Sequence, residues 1–191
     1  MHKLEVAIQE QKADEDVLPL VRLLNSFEQY YTTSSCAGRF VILSKGSFRG
    51  KYTSKFVYKT HKPPVDLEKV KQVLKEQFEG YLYINVEPPT FHIACKSLDA
   101  AIELHQLAIE SNIGYSMFKT IKKSIVVEVR GTGMLQIPIG IDNRILVSEE
   151  YVEEIISLAN EILLSEQSRI RKFENEIPKR LSKTTEQRKN Q

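Results

Sequence analysis

The sequence predicts an α+β domain with a mixed, mainly antiparallel sheet and helices packed against it. Three observations carry this expectation. Apolar residues recur at helical spacing in four separate stretches, short strand-like runs lie between them, and turn-forming residues such as Asp142-Asn143 join consecutive runs. The chain has 191 residues, 41% of them hydrophobic, which supplies a real core within one domain.

Asp16 before Val17, Leu20, Val21 and Leu24 reads as the cap of an amphipathic helix ending near residues 25–29, with Pro19 tolerated in the first turn. The segment Tyr31 to Arg39 is too polar for a core element and reads as a loop or strand entrance before a strand from Phe40 to Ser44. Gly46 and Gly50 suit a hairpin turn. In the return run 52–59, Tyr52, Ser54, Phe56 and Tyr58 face one way and Thr53, Lys55, Val57 and Lys59 the other, giving a solvated face with lysines. Pro63 and Pro64 stop that strand. Asp66 caps a helix with the stripe Leu67, Val70, Leu74 and Phe78, and Gly80 reads as its left-handed C-terminal residue.

Two strands follow, from Tyr81 to Val86 and from Thr90 to Cys95, and then a helix from Leu98 to Asn112 capped by Ser97. Hairpin-then-helix thus occurs twice, an element order that suggests an internal duplication. Runs 115–120, 124–130, 134–141 and 144–147 predict an antiparallel meander turning at Gly131-Thr132-Gly133 and Asp142-Asn143. Ser148 caps a last helix whose stripe is Val152, Ile155, Ile156, Ala159, Ile162 and Leu163, continuing more weakly to Ile170 and Phe173. The expected organisation is one domain over residues 1–177 and a basic, disordered tail over 178–191.

The net charge of +2 conceals segregation. Residues 39–62 hold seven basic side chains and no acid, residues 64–167 nine basic and sixteen acidic, and residues 168–191 eight basic and three acidic. Such zoning favours a polyanion on part of the surface, with RNA or DNA the leading candidate. No apolar run is long enough to span a membrane, and the first thirty positions lack the pattern of a secretory leader, so a soluble cytoplasmic protein is expected. Cys36 and Cys95 have no close Cys or His partner in sequence, so free thiols and no metal site are expected. Gly-rich dinucleotide, phosphate-loop, Gly-x-Ser-x-Gly and His-Glu-x-x-His signatures are all missing.

The unusual feature is Tyr30-Tyr31-Thr32-Thr33-Ser34-Ser35-Cys36-Ala37-Gly38-Arg39. Four successive hydroxyl side chains between aromatics and a guanidinium offer donors and acceptors to a carboxylate, a ribose or a base edge. This block resembles the Thr-Thr-Ser-Ser-Cys-Ser-Gly-Arg signature of the tRNA wybutosine-synthesizing protein 3 family. Further resemblances follow in order: Lys59 with His61, Phe91-His92-Ile93 with Cys95 and Leu98, and Tyr151 through Asn160. The chain departs from the family pattern at Ala37, where many members have Ser, and no Asp-Ser-Lys-Gly segment occurs in residues 1–13.

The resemblance implies an S-adenosylmethionine-dependent methyltransferase without a Rossmann fold. Its substrate would be the tricyclic guanosine derivative beside the anticodon of tRNA(Phe), carried as a wyosine-type intermediate on the anticodon stem-loop and methylated at N4. Tyr31, Thr32, Thr33, Ser34, Ser35, Arg39 and Tyr151 become candidates for binding substrate or cofactor, with Arg39 pairing a carboxylate that either ligand carries. His61 and His92 become candidates to accept the N4 proton. Arg49, Lys51, Lys55 and Lys59 are expected on tRNA phosphates. His105 reads as a hydrogen-bonded boundary residue. The alternative is a noncatalytic RNA-binding module using the same basic hairpin and tail.

Overall fold

The computed structural model describes residues 14–46 and 54–189. Its helices are α1 (Leu18–Ser26), α2 (Leu67–Val73), α3 (Leu98–Glu110) and α4 (Glu149–Lys189). Its strands are β1 (Tyr30–Cys36), β2 (Arg39–Lys45), β3 (Ser54–Thr60), β4 (Tyr81–Glu87), β5 (Thr90–Cys95), β6 (Tyr115–Thr120), β7 (Ile125–Arg130), β8 (Leu135–Ile141) and β9 (Arg144–Ile145). The α+β class and the antiparallel sheet character agree with the sequence. The chain forms two compact units, one from residues 1–37, 89–132 and 166–191, the other from 38–88 and 133–165.

The first unit holds a four-stranded sheet in the order β1-β5-β7-β6, every pair antiparallel. Alternation along β5 and β7 turns Phe91, Ile93, Cys95, Val127 and Val129 into a core with Leu20, Val21 and Leu24 of α1 and Ala101, Leu104 and Ala108 of α3. The opposite face of these strands is left to Thr90, His92, Glu128 and Arg130. Burial pushes the Cys95 thiol up to about 11, so it stays protonated at neutral pH.

The second unit holds a five-stranded antiparallel sheet in the order β3-β2-β4-β8-β9. Phe40, Ile42, Leu82, Ile84, Val86 and Ile139 pack with Val70 of α2 and Val152, Ile155, Ile156, Ala159 and Leu163 of α4. Each fully buried large side chain contributes about 1.5–3 kcal/mol. Asp142 and Asn143 turn β8 into β9 with φ of 46° and 62°, the paired positive angles of a tight hairpin turn, as the sequence implied.

Several expectations are corrected. Asp14, rather than Asp16, provides a cap, accepting the Asp16 amide of a short 3-10 turn over Glu15–Val17 that leads into α1. Residues 30–36 are strand β1, because the segment pairs along its length with β5. Gly80 has a positive φ of 70° but lies at the start of β4, well beyond the end of α2. Strands β4 and β5 belong to different sheets, as do β7 and β8, so neither the repeated hairpin nor the single meander exists. Gly131-Thr132-Gly133 is therefore a connection between sheets and not a hairpin turn.

In β3 the simple alternation fails at a bulge opposite Ile42 and Leu43, so neighbouring Val57 and Tyr58 both pack on the core while Phe56 is 48% exposed. The expected disordered tail is helical to Lys189, with Pro178 inside α4. Ile170, Phe173, Ile177 and Leu181 continue the buried stripe past the proline. Their burial outweighs the roughly 3 kcal/mol that an interior proline costs. Among the described residues no helix is long and apolar enough to cross a membrane.

Candidate active site

The polar signature enters the first unit as β1, antiparallel to β5. Up to Thr32 the pairing is regular, with Thr32 opposite Ile93, and the register then slips so that Ser34, not Thr33, stands opposite His92. The bulge leaves Thr33 unpaired and delivers Ser34 to the outer face. Ser34 Oγ lies 2.7 Å from His92 Nδ1, and Thr33 Oγ1 donates to the His92 carbonyl at 3.2 Å. Across β5 on the other side, where His92 pairs with Glu128 of β7, His92 Nε2 lies 2.7 Å from Glu128 Oε2.

Lys119 Nζ also lies 2.7 Å from Nε2, so two proton arrangements are open to the ring, and one of them links Ser34, His92 and Glu128. In that arrangement Nε2–H donates to the Glu128 carboxylate, which leaves Nδ1 as an acceptor for the Ser34 hydroxyl. The hydrogen bond from His92 is the foremost cause holding the Glu128 carboxyl below the ordinary carboxylate range; burial opposes it, and the charges of His92 and Lys119 add to it. An exposed hydroxyl backed by an imidazole and a carboxylate can accept a proton from a ligand and pass its own inward.

The rest of the signature divides between structural and open positions. Tyr31 is 59% exposed and Ser35 half-buried. Thr32 is tied to Asn25, its amide donating to Oδ1 at 2.8 Å and its hydroxyl at 3.2 Å, so it anchors β1 to α1. Ala37 is buried and its amide donates to Asp14 Oδ2 at 2.9 Å, which pins the end of β1.

In the second unit, Arg39 opens β2 with its Nε 2.6 Å from Glu87 Oε2 and its guanidinium 5.0 Å from the centre of the Phe56 ring. Asn85 sits two residues before Glu87, on the same face of β4 and opposite Val41. Its Oδ1 is buried without a hydrogen-bond partner among the described residues. By register Asn85 shares the sheet face of Arg39, and a guanidinium over a half-exposed ring can pair with a ligand carboxylate.

His61 is half-buried after β3, and its Nδ1 donates to the Gly38 carbonyl at 3.0 Å, which leaves Nε2 as the acceptor nitrogen. Tyr151 lies in the first turn of α4, 46% exposed, with its amide on Ser148 Oγ at 3.2 Å. Asn160 serves structure, its Oδ1 accepting the Val65 amide at 2.7 Å. Lys55 and Lys59 are exposed on β3, while Arg49 and Lys51 lie outside the described residues. His105 is half-buried, 2.9 Å from Ser116 Oγ, in keeping with a boundary residue.

Sequence reasoning missed Glu128, Lys119, Glu87, Phe56 and Asn85. Only Glu128 carried a local signal, a lone acid in the apolar run Ile125-Val126-Val127-Glu128-Val129.

Residues 1–179, the whole signature included, match the family described as Methyltransferase TYW3. The chain belongs to the Methyltransferase TYW3 family. One relative, "tRNA(Phe) 7-((3-amino-3-carboxypropyl)-4-demethylwyosine(37)-N(4))-methyltransferase 2" of Pyrococcus furiosus, is 37% identical over 86% of this chain and 79% of its own length. The methyltransferase 1 of the same name and organism is 35% identical over 91% of this chain and 89% of its own length. Among solved structures, the PH1069 protein from Pyrococcus horikoshii superposes with a TM-score of 0.86 at 33% identity, over 92% of this chain and 91% of that one. All sheet pairings of this TYW3 family member among the described residues are antiparallel, so its fold is not the parallel Rossmann sheet.

Proposed function

We propose that this TYW3 family member is an S-adenosylmethionine-dependent tRNA(Phe) methyltransferase acting in the cytoplasm on N4 of the tricyclic wyosine-type base beside the anticodon. The observation that carries the reading is its family membership, together with relatives named for that reaction at 37% and 35% identity over most of both chains.

S-adenosylmethionine, when bound, supplies an electrophilic methyl group on a sulfonium. The protein's share of the work is to position the nucleophile and remove one proton. As N4 gains its carbon, the N4 proton passes to Ser34 Oγ, the Ser34 proton passes to His92 Nδ1, and the resulting imidazolium stays hydrogen-bonded to Glu128. The fit of the cofactor is supported by Arg39, which meets a ligand carboxylate, by Asn85 Oδ1, which needs a donor, and by the open ring of Phe56. Tyr31 in the first unit offers an exposed ring for stacking on the modified base, and Tyr151 in the second unit offers one to the ligand that unit binds. Thr33 and Ser35 contribute polar contacts beside Ser34, and Thr32 holds that strand in place. His61, held through Nδ1 by the Gly38 carbonyl, is the second candidate acceptor for the proton. Arg49, Lys51, Lys55 and Lys59 bind phosphates of the anticodon stem-loop.

The test is mass spectrometry of nucleosides from tRNA(Phe) carrying the unmethylated intermediate, before and after incubation with the purified protein and S-adenosylmethionine. A gain of one methyl group on the tricyclic base is expected. Tight RNA binding without any methyl gain would overturn the reading in favour of a noncatalytic RNA-binding module.

A further inference from the structure

Lys119 is the extra residue of a bulge in β6: Phe118 pairs with Val127 and Thr120 with Val126, so Lys119 has no opposite number on β7. Alternation from Met117, which pairs with Glu128, keeps its side chain on the His92 face. Its Nζ lies 2.7 Å from His92 Nε2 and 3.5 Å from Glu128 Oε2, although the side chain is 50% exposed. Glu128 Oε2 is 2.7 Å from the same Nε2.

One ring nitrogen cannot serve both neighbours. Carrying its proton, Nε2 donates to Glu128 and has no lone pair for an ammonium; lacking it, Nε2 accepts from Lys119 but then faces carboxylate lone pairs. Once His92 takes up a second proton, Glu128 attracts the imidazolium and Lys119 repels it. The remaining charge on this face is Arg130, two positions along β7, while β1 presents the Tyr31 phenol, the Ser34 hydroxyl and the Cys36 thiol opposite Ala94, His92 and Thr90.

We propose that Lys119 is a positioning residue that restrains His92 until RNA docks. In the free protein its ammonium stands against Nε2, the nitrogen that Glu128 also engages. A phosphate of the bound RNA draws the ammonium away, and the His92–Glu128 pair is left to accept the proton. This rests on the reading of His92 as the proton acceptor. The surroundings of Lys119 suit a polyanion. Residues 111–127 contain Lys119, Lys122 and Lys123 and no acid, and Tyr115, Met117 and Ile121 are exposed beside them.

The experiment is an NMR titration of the His92 ring nitrogens in the full chain, for wild type, Lys119→Gln and Lys119→Arg, each with and without unmodified tRNA(Phe) transcript. Lys119→Gln should raise the His92 midpoint by about one pH unit, the effect of a unit charge at this distance in water-like surroundings. Lys119→Arg should stay near wild type because the charge is kept. RNA should raise the wild-type midpoint by about a unit more than it raises that of Lys119→Gln. Equal midpoints in wild type and Lys119→Gln, or equal RNA-induced shifts, would overturn the proposal. The readout is His92 itself, so it separates from failure of the underlying reading, which appears instead as undiminished methyl transfer by His92→Ala.

Discussion

Ser34 and His92 face each other across β1 and β5 with Oγ 2.7 Å from Nδ1, and they do so because the bulge at Thr33 shifts the register by one residue. Ser34→Ala should therefore lower methyl transfer about 100-fold, the scale of a lost proton-transfer group, while leaving RNA and cofactor affinity unchanged. Single-turnover rates beside equilibrium binding check this. Unaltered turnover would remove Ser34 from the relay.

Glu128 is linked to acid stability. Its folded carboxyl is held below the unfolded value of 4.5, first by the hydrogen bond from His92. The stabilisation is thus complete above that value and drains away as pH falls through the folded pKa. Urea midpoints measured on either side of this window should fall more steeply for wild type than for Glu128→Gln.

Arg39→Ala should weaken binding of the ligand whose carboxylate it meets by about 10- to 100-fold, the range for a charge-assisted hydrogen bond. Stability should change by no more than about 1 kcal/mol, because the Arg39–Glu87 pair is part-exposed. Calorimetry with S-adenosylhomocysteine and with substrate tRNA identifies the ligand. Arg39→Lys should rescue little, since an ammonium lacks the planar fork that lies over Phe56.

Asn143→Ala should cost about 2 kcal/mol. The backbone there has φ of 62°, worth about 1–2 kcal/mol against a side chain that disfavours it, and Asn143 Oδ1 accepts the Phe78 amide at 2.6 Å. Asn143→Gly tolerates the backbone but still removes the acceptor for that amide, so it should cost about half as much. Urea unfolding of both variants separates the two contributions.

Lys55 and Lys59 are exposed on β3 and suit phosphates. Replacing both by Gln should reduce the slope of log affinity for tRNA against log salt by about 1.5, close to one for each phosphate that a lysine neutralises. An unchanged slope would take β3 out of the RNA surface.

Much of the fold was legible because local spacing reports which face of an element is buried. The stripe from Val152 to Leu163, the caps at Asp66 and Ser97 and the Asp142-Asn143 turn are all of this kind. Bulges were not legible. A single extra residue at Thr33 or near Val57 reverses a side chain's face without any mark in the residue pattern.

By itself the sequence determined the α+β class, the helices and most strands to within a few residues, and the family, through the hydroxyl-rich block from Tyr30 to Arg39. The tertiary structure decided which strands are neighbours, and hence that Ser34, His92, Glu128 and Lys119 meet. The reason is physical. Periodicity is set by bonds between near neighbours, whereas the pairing of residues 34, 92, 119 and 128 depends on long-range register, fixed only when the strands close against one another.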